Sequence, residues 1–161
     1  GANGVETRDS LESIEFVTCE GEHRHLDPTE IDFSYRYSGF QELSGVIVAA
    51  KFRLTSSDVA KKRQREWLDY RLETQPYKAK TAGCFFRNPD EMSAGALIEE
   101  CGLKGFSIGG AQVSLKHANF IENKGGATAE EIARLIEHIQ SVVYNQKEIK
   151  LELEVKFLGS T

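Results

Sequence analysis

The C-terminal end of the chain carries two apolar patterns of different period, one directly after the other. Between residues 129 and 146 apolar side chains recur every three or four positions, which predicts one amphipathic helix. They are Ile132, Leu135, Ile136, Ile139, Val142 and Val143. From Ile149 to Phe157 apolar and charged residues alternate, which is typical of a strand with one solvated face. Together the two patterns indicate an α+β protein.

Capping residues predict where two helices begin. Thr128 and Glu131 have the spacing of a capping box at the start of the apolar stripe. Ser93 is placed to cap a short helix over "AGALIEEC", and Gly102 follows as its C-terminal stop. In that helix Cys101 lies at helical spacing from the apolar residues, so we expect its thiol in the core.

The first half of the chain is richer in strand patterns. The stretch "SLESIEFVTC", a turn at "EGEH" and then "RHL" predict a hairpin. Residues 45–54 predict a further strand that begins with enough apolar residues to be covered on both faces. A helix over residues 58–73, capped by Ser57 or Asp58, is expected to end before "TQP". The polar stretch "TQPYKAKTAG" then predicts a linker and a domain boundary near residue 76.

Charge and cysteine content narrow the class of protein. The net charge of −5 argues against a general nucleic-acid binder, and the run "KKRQR" fits the solvated face of a helix. We find no apolar run long enough for a bilayer and no signal-peptide pattern at the N-terminus. The three cysteines are widely spaced without a CxxC pair, so they predict reduced thiols of a cytoplasmic protein, neither disulfides nor a metal site.

Four polar residues are open to a structural and a functional interpretation. Cys84, within "AGCFFRNP", is either a small buried hydrophobe or an acid or nucleophile. His117 is a surface residue or a donor to an anionic group, and Arg36 either stacks between two tyrosines or binds a ligand. Glu154 fits a solvated strand carboxylate. The pattern alone does not choose between these interpretations.

The order of several motifs, however, resembles a known family. The stretches "AGCFFRNP", "LIEECGLKGFSIGGAQVSLKHANFIEN", "GATAEEI" and "LELEVKFLG" resemble the C-terminal part of the MurB family. Its members are FAD-dependent UDP-N-acetylenolpyruvoylglucosamine reductases of bacterial cell-wall synthesis. The upstream stretches "GANG", "SYRYSGFQ" and "GVIVAAKFRL" are similar to its flavin-binding portion. The resemblance implies three parts: the end of an FAD-binding domain (1–75), a small α+β substrate-binding domain (76–148) and a closing strand with a catalytic glutamate (149–161).

The resemblance also implies a reaction and a proton donor. In this family NADPH reduces the flavin, the flavin passes hydride to UDP-N-acetylglucosamine enolpyruvate, and protonation of the resulting enolate gives UDP-N-acetylmuramate. Cys84 occupies the place of the serine in a Gly-Ser-x-Phe-Lys-Asn-Pro motif, with Arg87 where lysine is common. A thiol, with an ordinary pKa of about 8.5, is a far stronger acid than an alcohol. Cys84 is therefore expected to give a proton to carbon.

Further roles follow from matching motifs. Arg36 matches the arginine of a Tyr-Arg-x-Ser motif and suits a carboxylate whose enolate gains charge. Glu154 matches the glutamate of the closing strand, where it is either protonated or orients Arg36 or a water. The residues expected to hold the uridine diphosphate moiety are Asn88, His117 and Asn119, with Arg87 or Lys116 supplying a cation. Those expected to contact the flavin cofactor are Gly1, Ala2 and Gly4.

The chain also departs from the family pattern. Short "TSSDV" and "PDEM" connections indicate the shorter, type II form. The chain begins inside the flavin-binding region, so its FAD site is expected to be incomplete, its partner the missing N-terminal half, and the isolated chain inactive. An alternative is a UDP-sugar-binding module without chemistry. A hydrolase that uses Cys84 as nucleophile and His117 as base is a third hypothesis.

Overall fold

The computed structural model describes residues 4–90 and 92–159. In that part of the chain three helices and eight short strands form small antiparallel sheets, so the predicted α+β class is confirmed. The chain divides into two compact units, unit 1 (Gly1–Asp58) and unit 2 (Val59–Thr161). The predicted boundary near residue 76 stays a prediction of functional domains. None of the described helices is long and apolar enough to span a membrane.

Unit 1 is built on the predicted hairpin. The strands of the unit are β1 (Leu11–Thr18), β2 (His23–Leu26), β3 (Phe33–Ser34), β4 (Tyr37–Ser38) and β5 (Gly45–Phe52). The main sheet has the antiparallel order β2-β1-β5, and β3 pairs with β4. Ile14 and Phe16 on β1 are the two buried apolar side chains among the described residues of the unit.

Strand β5 was predicted to be covered on both faces, and that prediction is wrong for the described chain. Every residue of β5 is exposed, since among the described strands β1 is its only neighbour and no helix of unit 1 covers it. Its first residue, Gly45, lies so close to β1 that a Cβ would run into the Phe16 ring and the Val17 carbonyl. The aliphatic composition of β5 predicted the strand correctly but not its surroundings.

The helix predicted over residues 58–73 is α1, which spans Ala60–Thr74. The predicted cap at Ser57 or Asp58 is wrong: Val59 occupies the N-cap position, and no side chain bonds to the first turn. No residue of α1 is buried, so this helix contributes little to a core.

The apolar core lies in the remainder of unit 2. It contains α2 (Ala94–Glu100), α3 (Ala129–Lys147) and a sheet of order β6-β7-β8 with strands Ser107–Ile108, Ala111–Val113 and Ile121–Asn123. Both predicted caps are confirmed: Ser93 accepts a hydrogen bond from the Ala96 N–H, and Thr128 forms a capping box. The core comprises Phe85, Phe86, Ala94, Leu97, Ile98, Leu103, Ala111, Val113, Ala118, Ile121, Leu135, Ile136, Ile139, Val143 and Leu151.

The closing segment was predicted to be a strand, and it forms no regular one. It makes a single bridge, Leu153 with Phe86, flanked by hydrogen bonds Arg87 N–H to Glu152 O (2.8 Å) and Glu154 N–H to Phe85 O (2.9 Å). The extended stretch around Phe86, with which the closing segment pairs, is too short for a longer ladder of hydrogen bonds. The alternation still holds at its centre, because Leu151 is buried and Leu153 packs against the core.

Candidate functional site

The Cys84 segment lies between two other parts of the backbone in unit 2. Cys84 itself is half-buried and forms a bridge with Phe120, while the next two residues, Phe85 and Phe86, are buried in the core. Gly83 precedes it with φ +94°, a conformation that a side chain would strain. The thiol is thus carried by a turn whose following residues are anchored in the core.

Asn119 is buried, with 3% of its surface exposed, and bonds this segment through both backbone and side chain. Its carbonyl accepts from the Phe85 N–H at 2.9 Å. Its side-chain Oδ1 accepts from the Phe86 N–H at 2.9 Å, and its Nδ2 donates to the Phe86 carbonyl at 2.8 Å. The amide predicted to hold a nucleotide therefore also holds the backbone next to Cys84.

His117 lies half-buried beside the same residue. Its Nδ1 accepts a hydrogen bond from the Asn119 N–H at 3.3 Å, so the neutral ring carries its proton on Nε2. Burial lowers the pKa of His117, which keeps the ring neutral near pH 7. Its Cε1 atom lies 3.0 Å from where a Cβ at Gly95 would be, so α2 gives the ring room only because residue 95 is glycine.

Glu154 and Glu152 differ in their surroundings although both alternate onto the predicted solvated face. Glu154 is half-buried and its N–H bonds the Phe85 carbonyl, which places its backbone beside the Cys84 segment. Glu152 is exposed, and its Oε2 lies 3.6 Å from the Arg87 Nη1. Arg87 also has a buried Nε that has no hydrogen-bond partner among the described residues.

Asn88 and Lys116 lie at the surface of unit 2. Asn88 is exposed, and its Oδ1 accepts from the Ala94 N–H at 3.0 Å, which ties the end of the Cys84 segment to the start of α2. Lys116 is exposed and donates to the Leu72 carbonyl through Nζ. It also lines a groove of about 560 Å³ together with Tyr77, Lys78 and Lys124.

The remaining predicted residues belong to unit 1. Arg36 adopts φ +58° and its guanidinium carbon lies 4.9 Å from the centre of the Tyr35 ring, in agreement with the stacking interpretation. Arg36 and Gly4 both line a cavity of about 670 Å³ in this unit. Gly1 and Ala2 lie outside the described residues. Cys84, Glu154 and the predicted nucleotide residues therefore share unit 2, and Arg36 lies in unit 1.

Sequence reasoning missed two residues that shape the site. Gly95 makes room for His117, and Ser114 is fully buried with its Oγ accepting from the Lys116 N–H (3.1 Å) and the His117 N–H (3.4 Å). A serine two or three residues before a polar motif is a signal for such a turn. Nothing in the local sequence signals the role of Gly95, since His117, which it makes room for, is distant along the chain.

Comparison with known proteins identifies the family of this chain. Residues 75–158 match the family model described as UDP-N-acetylenolpyruvoylglucosamine reductase, C-terminal domain. The UDP-N-acetylenolpyruvoylglucosamine reductase of Protochlamydia amoebophila is 49% identical over 98% of this chain and 53% of its own length. The protein of the same name from Chlamydia abortus is 44% identical over 98% of this chain and 53% of its own length.

A solved structure of a reductase with the same activity in its name also resembles this chain. The crystal structure of UDP-N-acetylenolpyruvylglucosamine reductase (MurB) from Thermus caldophilus superposes with a TM-score of 0.81 at 36% identity, over 97% of this chain and 56% of that one. The chain spans about half the length of the curated relatives that it matches. The resemblance inferred from the motifs is confirmed: the chain belongs to the MurB family of UDP-N-acetylenolpyruvoylglucosamine reductases.

Proposed function

We propose that this chain supplies the substrate site and the proton donor of a cytoplasmic FAD-dependent, NADPH-linked reductase. The enzyme converts UDP-N-acetylglucosamine enolpyruvate to UDP-N-acetylmuramate for peptidoglycan synthesis. The observation that carries the proposal is the Cys84 segment, where a half-buried thiol follows a glycine with positive φ and its neighbours Phe85 and Phe86 are anchored in the core. Family membership supports the reaction.

The cavity of unit 1 has side chains that can be compared with the chemistry of a flavin. The 670 Å³ cavity of unit 1 is lined by apolar and aromatic side chains and by the charged residues Glu6, Arg8 and Arg36, and its two guanidinium groups suit a flat, anionic, aromatic cofactor. Gly4 adopts φ +77°, which favours glycine, and with no side chain it lets a ligand approach the backbone closely. When bound, FAD reduced by NADPH supplies hydride to the enolpyruvyl double bond. The same proposal includes two further expectations: that the protein is of the shorter, type II form, and that a separate flavin-binding half completes the FAD site.

Cys84 completes the addition across the double bond. Hydride brings both electrons to one carbon, and the thiol proton of Cys84 goes to the other carbon, which leaves a thiolate to be reprotonated from solvent. A general acid of this kind contributes roughly 10²- to 10⁴-fold to a rate. Arg36 neutralises the substrate carboxylate as enolate charge develops, and Glu154 assists from beside the Cys84 segment.

The uridine diphosphate moiety is held by residues around α2. His117 is neutral with its proton on Nε2, so it can donate to a phosphate oxygen. Asn88 and Asn119 retain the predicted nucleotide contacts in this proposal. Arg87 has a buried Nε without a partner among the described residues, and Lys116 lies in a groove with two further lysines, so either can supply the cation.

The first prediction tests Cys84 in the full-length protein that includes the flavin-binding half. In Cys84→Ala we expect turnover to fall at least 100-fold, while reduction of the flavin by NADPH and substrate affinity stay within twofold. Cys84→Ser should retain more activity, because a hydroxyl can still donate the proton. Stopped-flow absorbance of the flavin measures the two half-reactions separately.

Each of the following results would overturn part of the proposal. Wild-type turnover in Cys84→Ala would show that another group donates the proton. Substrate binding without turnover by the wild-type protein would favour a UDP-sugar-binding module without chemistry. Steady NADPH oxidation by the purified 161-residue chain with added FAD would contradict the requirement for a flavin-binding half. A covalent acyl adduct at Cys84 in intact-mass analysis would instead support a Cys84–His117 hydrolase.

A further inference from the structure

The backbone after Cys84 changes partners within three residues. Cys84 forms its bridge with Phe120 on one side, and Phe86 forms its bridge with Leu153 on the other. Both bridges are isolated, so along this stretch neither neighbour provides a continuous ladder among the described residues. Where the pairing changes, the peptide groups of a buried residue need other hydrogen-bond partners.

The carboxamide of Asn119 fills this gap. It accepts from the Phe86 N–H at 2.9 Å and donates to the Phe86 carbonyl at 2.8 Å, the same two bonds that a paired strand would make. A carboxamide is the side-chain group that offers one acceptor and one donor in the geometry of a peptide. With 3% of Asn119 exposed, the amide lies in the protein interior.

We propose that Asn119 is a positioning residue for the reaction, and that its carboxamide acts as a one-residue strand partner which sets the direction of the Cys84 thiol. The inference rests on the proposed function, in which Cys84 is the proton donor. It gives Asn119 a role in the rate of protonation beyond the predicted contact with the nucleotide. The two bonds to Phe86 make the role specific to an amide.

Asn119 is also bonded to the residue expected to hold the diphosphate. Its N–H donates to His117 Nδ1 at 3.3 Å, and its carbonyl accepts from the Phe85 N–H at 2.9 Å. These backbone bonds remain when the side chain is changed. A substitution of the Asn119 side chain therefore removes the two bonds to Phe86 and keeps the backbone bond to His117.

The experiment compares Asn119→Asp and Asn119→Leu in the full-length protein. Asn119→Asp keeps the acceptor and loses the donor to the Phe86 carbonyl, whereas Asn119→Leu keeps the volume and loses both bonds. In both variants we expect kcat to fall at least tenfold, by a larger factor than KM for the enolpyruvyl substrate or the Kd of UDP rises, with flavin reduction by NADPH within twofold. The matched control is Asn123→Asp, because Asn123 bonds the Gly125 and Ala127 N–H groups through its oxygen.

A second readout does not depend on turnover. With Cys19→Ser and Cys101→Ala as background, Cys84 is the single cysteine of residues 1–161, and its rate of alkylation by iodoacetamide is measured from pH 6 to pH 10 by mass spectrometry of the peptide that contains it. We expect a rate change of at least threefold in both Asn119 variants and none in Asn123→Asp. Far-UV circular dichroism checks that each variant is folded.

Different outcomes decide different questions. A tenfold rise in KM with unchanged kcat would overturn the inference and assign Asn119 to nucleotide binding alone. An equal loss in kcat and in flavin reduction, with unchanged alkylation, would reduce Asn119 to a structural role and also overturn it. If the wild-type protein turns over no enolpyruvyl substrate, the proposed function fails, and the alkylation rates still show whether Asn119 positions the thiol.

Discussion

Gly95 matters at the scale of single residues because its missing side chain leaves space for His117. In helix α2 a Cβ at this position would lie 3.0 Å from His117 Cε1 and 3.4 Å from Nδ1. The ring cannot move freely, since its Nδ1 accepts from the Asn119 N–H. The helix and the proposed diphosphate donor are therefore matched in shape at this contact.

For Gly95→Ala, two effects of opposite sign are expected. Alanine favours a helix over glycine by about 1 kcal/mol, but the new Cβ must displace the His117 ring by a few tenths of an ångström. We predict that stability changes by less than about 1 kcal/mol while UDP affinity of the full-length protein falls roughly three- to tenfold. Isothermal titration calorimetry measures the affinity.

The matched control is Ala96→Gly in the same helix. It removes helix propensity without placing an atom near His117, so stability should fall by about 1 kcal/mol with affinity unchanged. Unchanged UDP affinity in Gly95→Ala would mean that His117 does not contact the nucleotide.

Motifs selected the candidate residues, whose roles stay predictions, but they did not predict the contacts of those residues. The residues around Cys84 and His117 could be assigned because the matching stretches are long and specific. The pairing of Asn119 with Phe86 could not be predicted, since the two residues are far apart in the chain and nothing in either stretch signals the hydrogen bonds. Alternation assigned Glu154 to the same solvated face as Glu152, whereas the residue is half-buried.

At the scale of elements, the start of α3 connects the helix to the sheet. Thr128 Oγ1 accepts from the Glu131 N–H at 3.1 Å, and Glu131 Oε2 accepts from the Thr128 N–H at 2.9 Å and the Gly110 N–H at 3.2 Å. These backbone bonds hold the pKa of Glu131 below its usual range. Its carboxylate thus joins the helix start to the turn between β6 and β7.

We predict that Thr128→Ala destabilises the protein by about 1 kcal/mol, because the Glu131 N–H loses its cap. Urea denaturation followed by circular dichroism gives the free energy of unfolding. Glu130→Ala is the control: it lies in the same first turn and should cost only a few tenths of a kcal/mol through the helix dipole. Equal losses in the two variants would show that the capping bond adds nothing.

Helices were predicted better than the closing segment for a physical reason. The caps and apolar stripe of α3 are local, so residues a few positions apart specify them. A strand needs a partner, and among the described residues the closing segment forms its bridge with the short stretch around Phe86, which also bonds Asn119. Alternation therefore predicted the inward side of Leu151 and Leu153 but not the missing ladder.

At the scale of the molecule, the two units differ in how much apolar surface they bury. The whole core cluster belongs to unit 2, whereas the described part of unit 1 buries Ile14 and Phe16. Strand β5 leaves Val46, Ile47 and Val48 exposed. The composition of β5 predicted coverage of both faces, which the described chain does not provide, because sequence alone does not say which surface lies against a strand.

This difference predicts that residues 59–161 fold without unit 1. Burial of some fifteen core side chains is the main favourable term in folding, and each fully buried aliphatic or aromatic residue contributes about 1.5–3 kcal/mol. We expect dispersed amide resonances and a cooperative urea transition for the 59–161 fragment, and neither for a 1–58 peptide, whose two buried side chains cannot offset the entropy of ordering the chain. A broad, non-cooperative transition of the 59–161 fragment would show that its core depends on unit 1.

If the 59–161 fragment does fold, amide shifts on addition of UDP at Asn88 and His117 would locate the nucleotide site in unit 2 alone.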